Sequence, residues 1–292
     1  MSNLVTRLTL GAVGLTCKTF LRSGYCASVT VNGLENIEKA LKDERRKNGA
    51  GIITISNHIS TLDDPVTWGV VPWKWYFTPG MIRWSLGASD IIFINPIFSA
   101  FFRKGQVFET FRGSGIYQPA VDSAIERLNQ GEWIHLFGEG KIHQPGRYPP
   151  LPTPPSDHQY TSHVPDQNQA RHSLRLGHEP PLLLRFKWGA GRILMESKEP
   201  PIVIPMWLTG FQDLMPEGRS FPWKYLPRRN VHLSVTFGEP ISRKALLDSL
   251  ARYDASQETR SLSIAAQNCE LTAVLQREVE RLGRRILGRD HL

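Results

Sequence analysis

Residues 51–65 read G-I-I-T-I-S-N-H-I-S-T-L-D-D-P. The first six form a short β-branched run that opens on Gly51 and closes on a polar turn, the composition of a buried strand. Asn57 and His58 follow where the chain leaves the sheet. Asp64-Pro65 then predicts a helix start, with Asp64 as N-cap and Pro65 at the first helical position. Strand, polar turn and helix in quick succession make one unit of an alternating α/β chain.

The alternation continues outward from this unit. Segments 91–94, 106–111, 133–137, 202–208 and 231–237 read as strands. Segments 34–46, 117–129, 186–196 and 241–250 carry apolar residues at helical spacing, as does the tail through Leu271, Leu275, Val279, Leu282 and Ile286. This predicts a single α/β domain over 25–292, a mixed central sheet flanked by helices, with a C-terminal helix at 256–288. Residues 145–181 lose all periodicity and fill with Pro, His, Ser and Gln, so a flexible insertion is expected there. From Trp84 to Phe102 the only formal charge is Asp90. That stretch reads equally as an interfacial or re-entrant segment and as core. Trp73, Trp75, Tyr76, Phe77 and Trp84 around its start would suit a belt at lipid-headgroup level.

The 292 residues carry a formal charge of +8, which points to an anionic partner, nucleic acid or an acidic lipid surface. Eight Trp and thirteen Phe lean toward a membrane interface, although aromatics fill ordinary cores as well. No nucleic-acid recognition motif accompanies the charge, so that partner is the weaker reading. Three scattered cysteines, Cys17, Cys26 and Cys269, make neither a disulfide framework nor a C-x-x-C centre, and no metal site is predicted. Free thiols fit an intracellular or organellar chain. Residues 1–24 read as an interfacial membrane helix. Only ten uncharged residues separate Arg7 from Lys18, short of a spanning helix, which needs roughly 20. Leu4, Leu8, Ala12 and Leu15 line one stripe, while Arg7 and Lys18 fall about 20° apart on the wheel. No acidic residue precedes Glu35, so a presequence-like role stays open.

Two constellations can carry chemistry. On one continuous helix His58 and Asp63 would lie about 140° apart, but a turn before the helix brings them together. A carboxylate on one imidazole nitrogen then fixes the tautomer, and the other nitrogen can take a proton from an alcohol. Spacing alone favours a helix-capping Asp63 and a structural His58, since the pattern recurs by chance. The second constellation is Gly138-Glu139-Gly140-Lys141 after the 133–137 strand, a turn of bare amides, a carboxylate and a cation suited to a glycerol or phosphate group. A phosphate-binding P-loop is excluded by His135 and Ile142. A serine-hydrolase elbow is excluded because Gly113-Ser114-Gly115 lacks a glycine two residues before the serine. With no placed nucleophile, direct transfer is favoured over a covalent intermediate.

Asn57-His58-x-x-x-x-Asp63 followed by the Glu139-Gly140 turn resembles the glycerolipid acyltransferase superfamily. R-G-S-G-I-Y-Q at 112–118, G-E-W-I-H-L-F-G-E-G-K at 131–141, R-F-K-W-G-A-G-R at 185–192, I-P-M-W at 204–207 and F-G-E-P-I at 237–241 continue the likeness in order. They make the chain similar to a mitochondrial phospholipid transacylase branch of that superfamily. The resemblance implies a glycerolipid-acyltransferase-like domain with His58 as base and Asp63 as its orienter. It places Gly138, Glu139, Gly140 and Lys141 at the acceptor, with Arg112 as an auxiliary anion contact. It implies no cofactor. Phospholipids and lysophospholipids would be the partners (cardiolipin, monolysocardiolipin, phosphatidylcholine), met peripherally at mitochondrial membranes facing the intermembrane space, with oligomerisation left open. An acyl-CoA-dependent lysophospholipid or glycerol-phosphate acyltransferase and a non-catalytic membrane scaffold are the rival readings. Family members usually carry Phe-Pro-Glu-Gly where this chain has Phe137-Gly138-Glu139-Gly140. The exchange is expected to loosen the turn before Glu139.

Overall fold

A computed structural model describes residues 4–144, 182–244, 246 and 260–288. Its strands are β1 Ser28–Asn32, β2 Ile52–Ser56, β3 Trp84–Ala88, β4 Val107–Thr110, β5 Trp133–Phe137, β6 Ile202–Thr209 and β7 His232–Phe237. They form one sheet in the order β1-β7-β6-β2-β5-β3-β4. Every neighbouring pair is parallel except β6 and β7, which run antiparallel, so the sheet is mixed as expected. The helices used below are α1 Leu4–Arg22, α2 Leu34–Leu41, α3 Asp63–Thr67, α4 Ser89–Ile92, α5 Pro96–Lys104, α6 Pro119–Asn129, α7 Gly189–Met195, α8 Phe211–Leu214 and α9 Arg260–Ile286.

Strand β2 sits at the centre and is buried along its whole length. Its side chains alternate between two apolar layers, as a strand covered on both faces must. Ile53 and Ile55 pack with Phe186, Leu275 and Val279 under α9. Ile52 joins Trp68, Trp133, Ile204 and Phe237 on the other face. The tail periodicity at Leu271, Leu275, Val279 and Leu282 is thus the buried stripe of α9. Ile286 is the exception and is exposed.

Four local expectations change. Residues 91–94 are not a strand: α4 occupies 89–92, Phe93 turns inward, and Asn95 caps α5 by accepting the Phe98 N–H at 2.9 Å. Helix α2 stops at Leu41, and a 3-10 turn at Glu44–Asn48 carries the basic finish. Strand β1 had no sequence assignment, because an edge strand with a largely exposed S-V-T-V-N carries little apolar signal. Asp64 is not an N-cap, since the helix begins at Asp63 and Leu62 precedes it without a side-chain cap. The 145–181 insertion and most of the 241–250 helix lie outside the described residues.

Helix α1 is built onto the domain. Gly11 and Gly14 lie against the rings of Phe77 and Tyr76, where a Cβ would come within 2.4 Å and 2.6 Å. Arg7 donates from Nη2 to the Phe77 carbonyl at 2.7 Å. The opposite face leaves Leu4, Leu8, Ala12 and Leu15 exposed, the stripe read from the sequence. At 19 residues the helix is also long and apolar enough to cross a membrane, by length and composition. Ile91, Ile94, Ile97, Phe98 and Phe101 around α4 and α5 are exposed too, whereas Trp75 and Tyr76 are core.

Candidate active site

Parallel β2 and β5 are neighbours, and their last residues, Ser56 and Phe137, are in register. Two residues beyond each lie His58 and Glu139, so the topology alone sets them side by side at the carboxyl edge of the sheet. That edge is where open α/β sheets bind their ligands.

The His58-to-Asp63 segment closes as a turn. Asp63 is fully buried, and its Oδ2 accepts from His58 Nδ1 at 2.8 Å and from the N–H groups of Ile59 at 2.6 Å and Ser60 at 2.8 Å. A carboxylate with two backbone donors already on that oxygen assigns the ring proton to Nδ1, which leaves Nε2 as the basic nitrogen. Burial pushes the Asp63 carboxyl above its ordinary range, and the His58 bond and the two amides counter part of that rise. The imidazole is held flat by Phe137, whose ring stacks at 4.2 Å. Its side chain keeps 21% of its surface exposed, so the site is open to a reactant.

Glu139 is 1% exposed. Its Oε1 accepts the backbone N–H of His58 at 3.0 Å, and its Oε2 accepts that of Leu184 at 3.0 Å. The expected acceptor carboxylate is therefore engaged by the protein's own backbone. Two further bonds from the same segment complete the clasp. The His143 N–H donates to the His58 carbonyl at 2.7 Å, and Gln144 Nε2 donates to the Ile59 carbonyl at 2.9 Å. From the other side Asn57 pairs with the main chain of Leu208, donating and accepting at 2.9 Å and 2.8 Å. Sequence reasoning missed His143 and Gln144, whose only signal was their nearness to Glu139 in the chain.

Gly138 is not loose. Its N–H donates to the Ser56 carbonyl at 3.2 Å, a bond that proline could not make, and its carbonyl accepts the Lys187 N–H at 2.8 Å. A Cβ there would stand 2.4 Å from the Phe186 ring, so an aromatic fills the space beside the glycine. Gly140 turns with φ of 66°, a left-handed conformation that glycine takes without strain. Lys141 is exposed just beyond it. Arg112 follows β4 on the same edge of the sheet, exposed and paired with Asp90 at 3.1 Å. Gln118 closes its loop, accepting the Phe111 N–H at 2.9 Å and donating to the Gly115 carbonyl at 2.6 Å.

Behind the site is a buried polar group the sequence did not single out. His135 meets Thr54 Oγ1 through Nδ1 at 2.8 Å and lies edge-on to Phe137 at 4.5 Å. Burial drives its pKa down to about 3, so it is neutral where His58 works. Asp64 accepts from Trp68 Nε1 at 2.9 Å and from Arg83 Nη2 at 2.5 Å. Burial works against its charge, but these two partners hold its carboxyl below the ordinary range.

The Acyltransferase family model matches residues 28–209, which contain β1 through β6 and both constellations. The chain belongs to the acyltransferase family. An N-acylphosphatidylethanolamine synthase from Arabidopsis thaliana is 38% identical over 86% of this acyltransferase and 79% of the relative. A tafazzin from Drosophila melanogaster is 30% identical over 96% of this chain, which spans 63% of that relative's length. A taffazin from Dictyostelium discoideum is 33% identical over 78% of this chain and 67% of the relative. The crystal structure of the 1-acyl-sn-glycerophosphate acyltransferase PlsC from Thermotoga maritima shares the fold, with a TM-score of 0.50 and 19% identity over 95% of this chain and 79% of that one.

Proposed function

We propose that this acyltransferase is a CoA-independent transacylase that moves acyl chains between phospholipids and lysophospholipids at a membrane surface, remodelling cardiolipin. The observation that carries the reading is the His58 Nδ1–Asp63 contact at 2.8 Å, which leaves the opposite ring nitrogen basic beside an open edge. In this reading His58 Nε2 takes the proton of a lysophospholipid hydroxyl. The oxygen attacks the ester carbonyl of a donor phospholipid, the bond to the donor glycerol oxygen breaks, and His58 returns the proton to that oxygen. Asp63 orients the ring and stabilises the imidazolium between the two steps. The oxyanion needs donors, and the amides of His58, Ile59 and Ser60 are already committed to carboxylates. We assign that task to the amides of Lys141 and Ile142 in the turn after Gly140, which meet no acceptor among the described residues. Glu139 becomes a positioning residue that clasps His58, while Arg112 and Lys141 meet lipid phosphate.

Membrane attachment goes with this reading. The exposed faces of α1 and α5 would sit in one leaflet, peripheral to a mitochondrial membrane on its intermembrane-space side. Protease protection of tagged termini should place both on one side.

The deciding assay uses purified protein in vesicles with labelled acyl-phosphatidylcholine as sole donor, no CoA, and monolysocardiolipin as acceptor. Transfer supports the reading, and transfer only on adding acyl-CoA overturns it. The likeness to an N-acylphosphatidylethanolamine synthase favours a second acceptor, the amine of phosphatidylethanolamine. The same assay with that lipid distinguishes them, because an amide product survives mild alkali and an ester does not.

A further inference from the structure

Lys18 and Arg22 stand one turn apart near the end of α1, and neither side chain makes a hydrogen bond or ion pair with any described residue. Together with Leu15, Thr19, Ser23 and Trp73 they line a groove of about 400 Å³. The bland account is that they complement the carboxyl end of the helix. That end carries only about half a negative charge, so two full cations exceed it. Lys18 is also half-buried, and its pKa is pulled down by burial and then by the like charge of Arg22. A bound anion would oppose that fall by stabilising both cations.

The rest of the lining says which anion. Leu15 belongs to the exposed stripe with Leu4 and Leu8, and Trp73 is 54% exposed. A free phosphate has no use for such walls, whereas a phospholipid brings a phosphodiester and an acyl chain together. A second exposed apolar surface is fastened two residues beyond Ser23. Tyr25 donates its hydroxyl to the Pro227 carbonyl at 2.6 Å, and its main-chain carbonyl accepts the Asn230 N–H at 2.9 Å. This ties down the end of a loop that exposes Phe221, Trp223 and Tyr225. We infer that the groove between Lys18, Arg22 and Trp73 is a binding site for the phosphodiester of an anionic membrane phospholipid, separate from the His58 centre. The inference rests on the reading that the protein works at a membrane surface.

The test is co-sedimentation of the full chain with phosphatidylcholine vesicles, with or without phosphatidylglycerol at about 20 mol%. Lys18→Gln with Arg22→Gln should weaken binding to the anionic vesicles by about ten-fold or more and leave binding to neutral vesicles unchanged. Lys39→Gln with Lys42→Gln should change neither. Equal loss from both pairs would mean diffuse charge and overturn the site. Equal loss on neutral vesicles would do the same. Inorganic phosphate that displaces the wild type at constant ionic strength would make it a free-phosphate site and also overturn the lipid assignment. The exchange Lys18→Arg with Arg22→Lys should retain binding; if it fails as badly, the pair is structural. Acyl transfer in neutral detergent micelles separates this inference from the reading it rests on, since the double variant should remain active there.

Discussion

The carboxylate of Glu139 joins the His58 amide at 3.0 Å to the Leu184 amide at 3.0 Å, one oxygen to each. A buried carboxylate with both oxygens occupied by main-chain donors is a clasp between the β2 exit, the β5 exit and the 182–188 segment. Glu139→Gln replaces one acceptor by an NH₂ group that faces another N–H donor. Leaving a buried donor unpaired costs about 1–3 kcal/mol, so the melting temperature should fall. The catalytic loss should appear in kcat more than in KM, because the base is misplaced while the lipid site is intact. A raised KM with unchanged kcat and stability would instead make Glu139 a lipid ligand.

Asp63 and His58 separate differently under mutation. His58→Ala removes the proton acceptor, and activity should fall by about 10²–10⁴-fold with little change in stability, since the ring is partly exposed. Asp63→Ala removes the oxygen on which three donors converge, so this variant should lose both activity and stability. Parallel kinetics and urea unfolding check the contrast. Retained acyl transfer in His58→Ala would remove the mechanism.

Gly138 offers a test of packing against chain stiffness. A proline at this position would remove the donor to Ser56 and place ring atoms on Phe186. Gly138→Pro should therefore destabilise this chain, by about 1–3 kcal/mol for the overpacking. Trimming the neighbour with Phe186→Leu should restore part of the loss. If Gly138→Pro alone stabilises the protein, backbone entropy outweighs the contact.

The central strand, the turn after it and the buried stripe of α9 were legible because each repeats a simple period over several residues. The pairing of His58 with Asp63 was legible as a possibility, because a turn can close what a helix would separate. The role of Glu139 was not. Its hydrogen-bond partners are main-chain amides at His58 and Leu184, with His143 Nδ1 3.5 Å from Oε2, and nothing in residue identity marks which amides a carboxylate will meet. Gly138 misled for a related reason: the glycine is visible in the chain, but the Phe186 ring that fills the space beside it lies 48 residues away. The segment at 91–94 misled because a four-residue apolar run carries no period, so strand and helix read alike.

His135 supplies the last prediction, a dependence of stability on pH. In the folded chain its pKa is about 3, against an ordinary value of 6.5. As pH falls below 6.5 the unfolded chain takes up a proton that the folded chain refuses until about pH 3. Stability from this group is therefore complete above 6.5 and declines through that window, with a limiting slope of about 1.4 kcal/mol per pH unit. Asp63 acts in the opposite sense: burial raises its pKa, so its contribution to stability is lost as pH rises rather than as it falls. The wild-type curve mixes the two, so the difference between proteins is the informative quantity. His135→Asn keeps an acceptor for the Thr54 hydroxyl and removes the titration. Urea unfolding between about pH 7 and pH 5 should show a shallower fall for the variant than for the wild type. Equal slopes would mean that the imidazole titrates normally, and that the layer between Trp68 and Phe137 admits water.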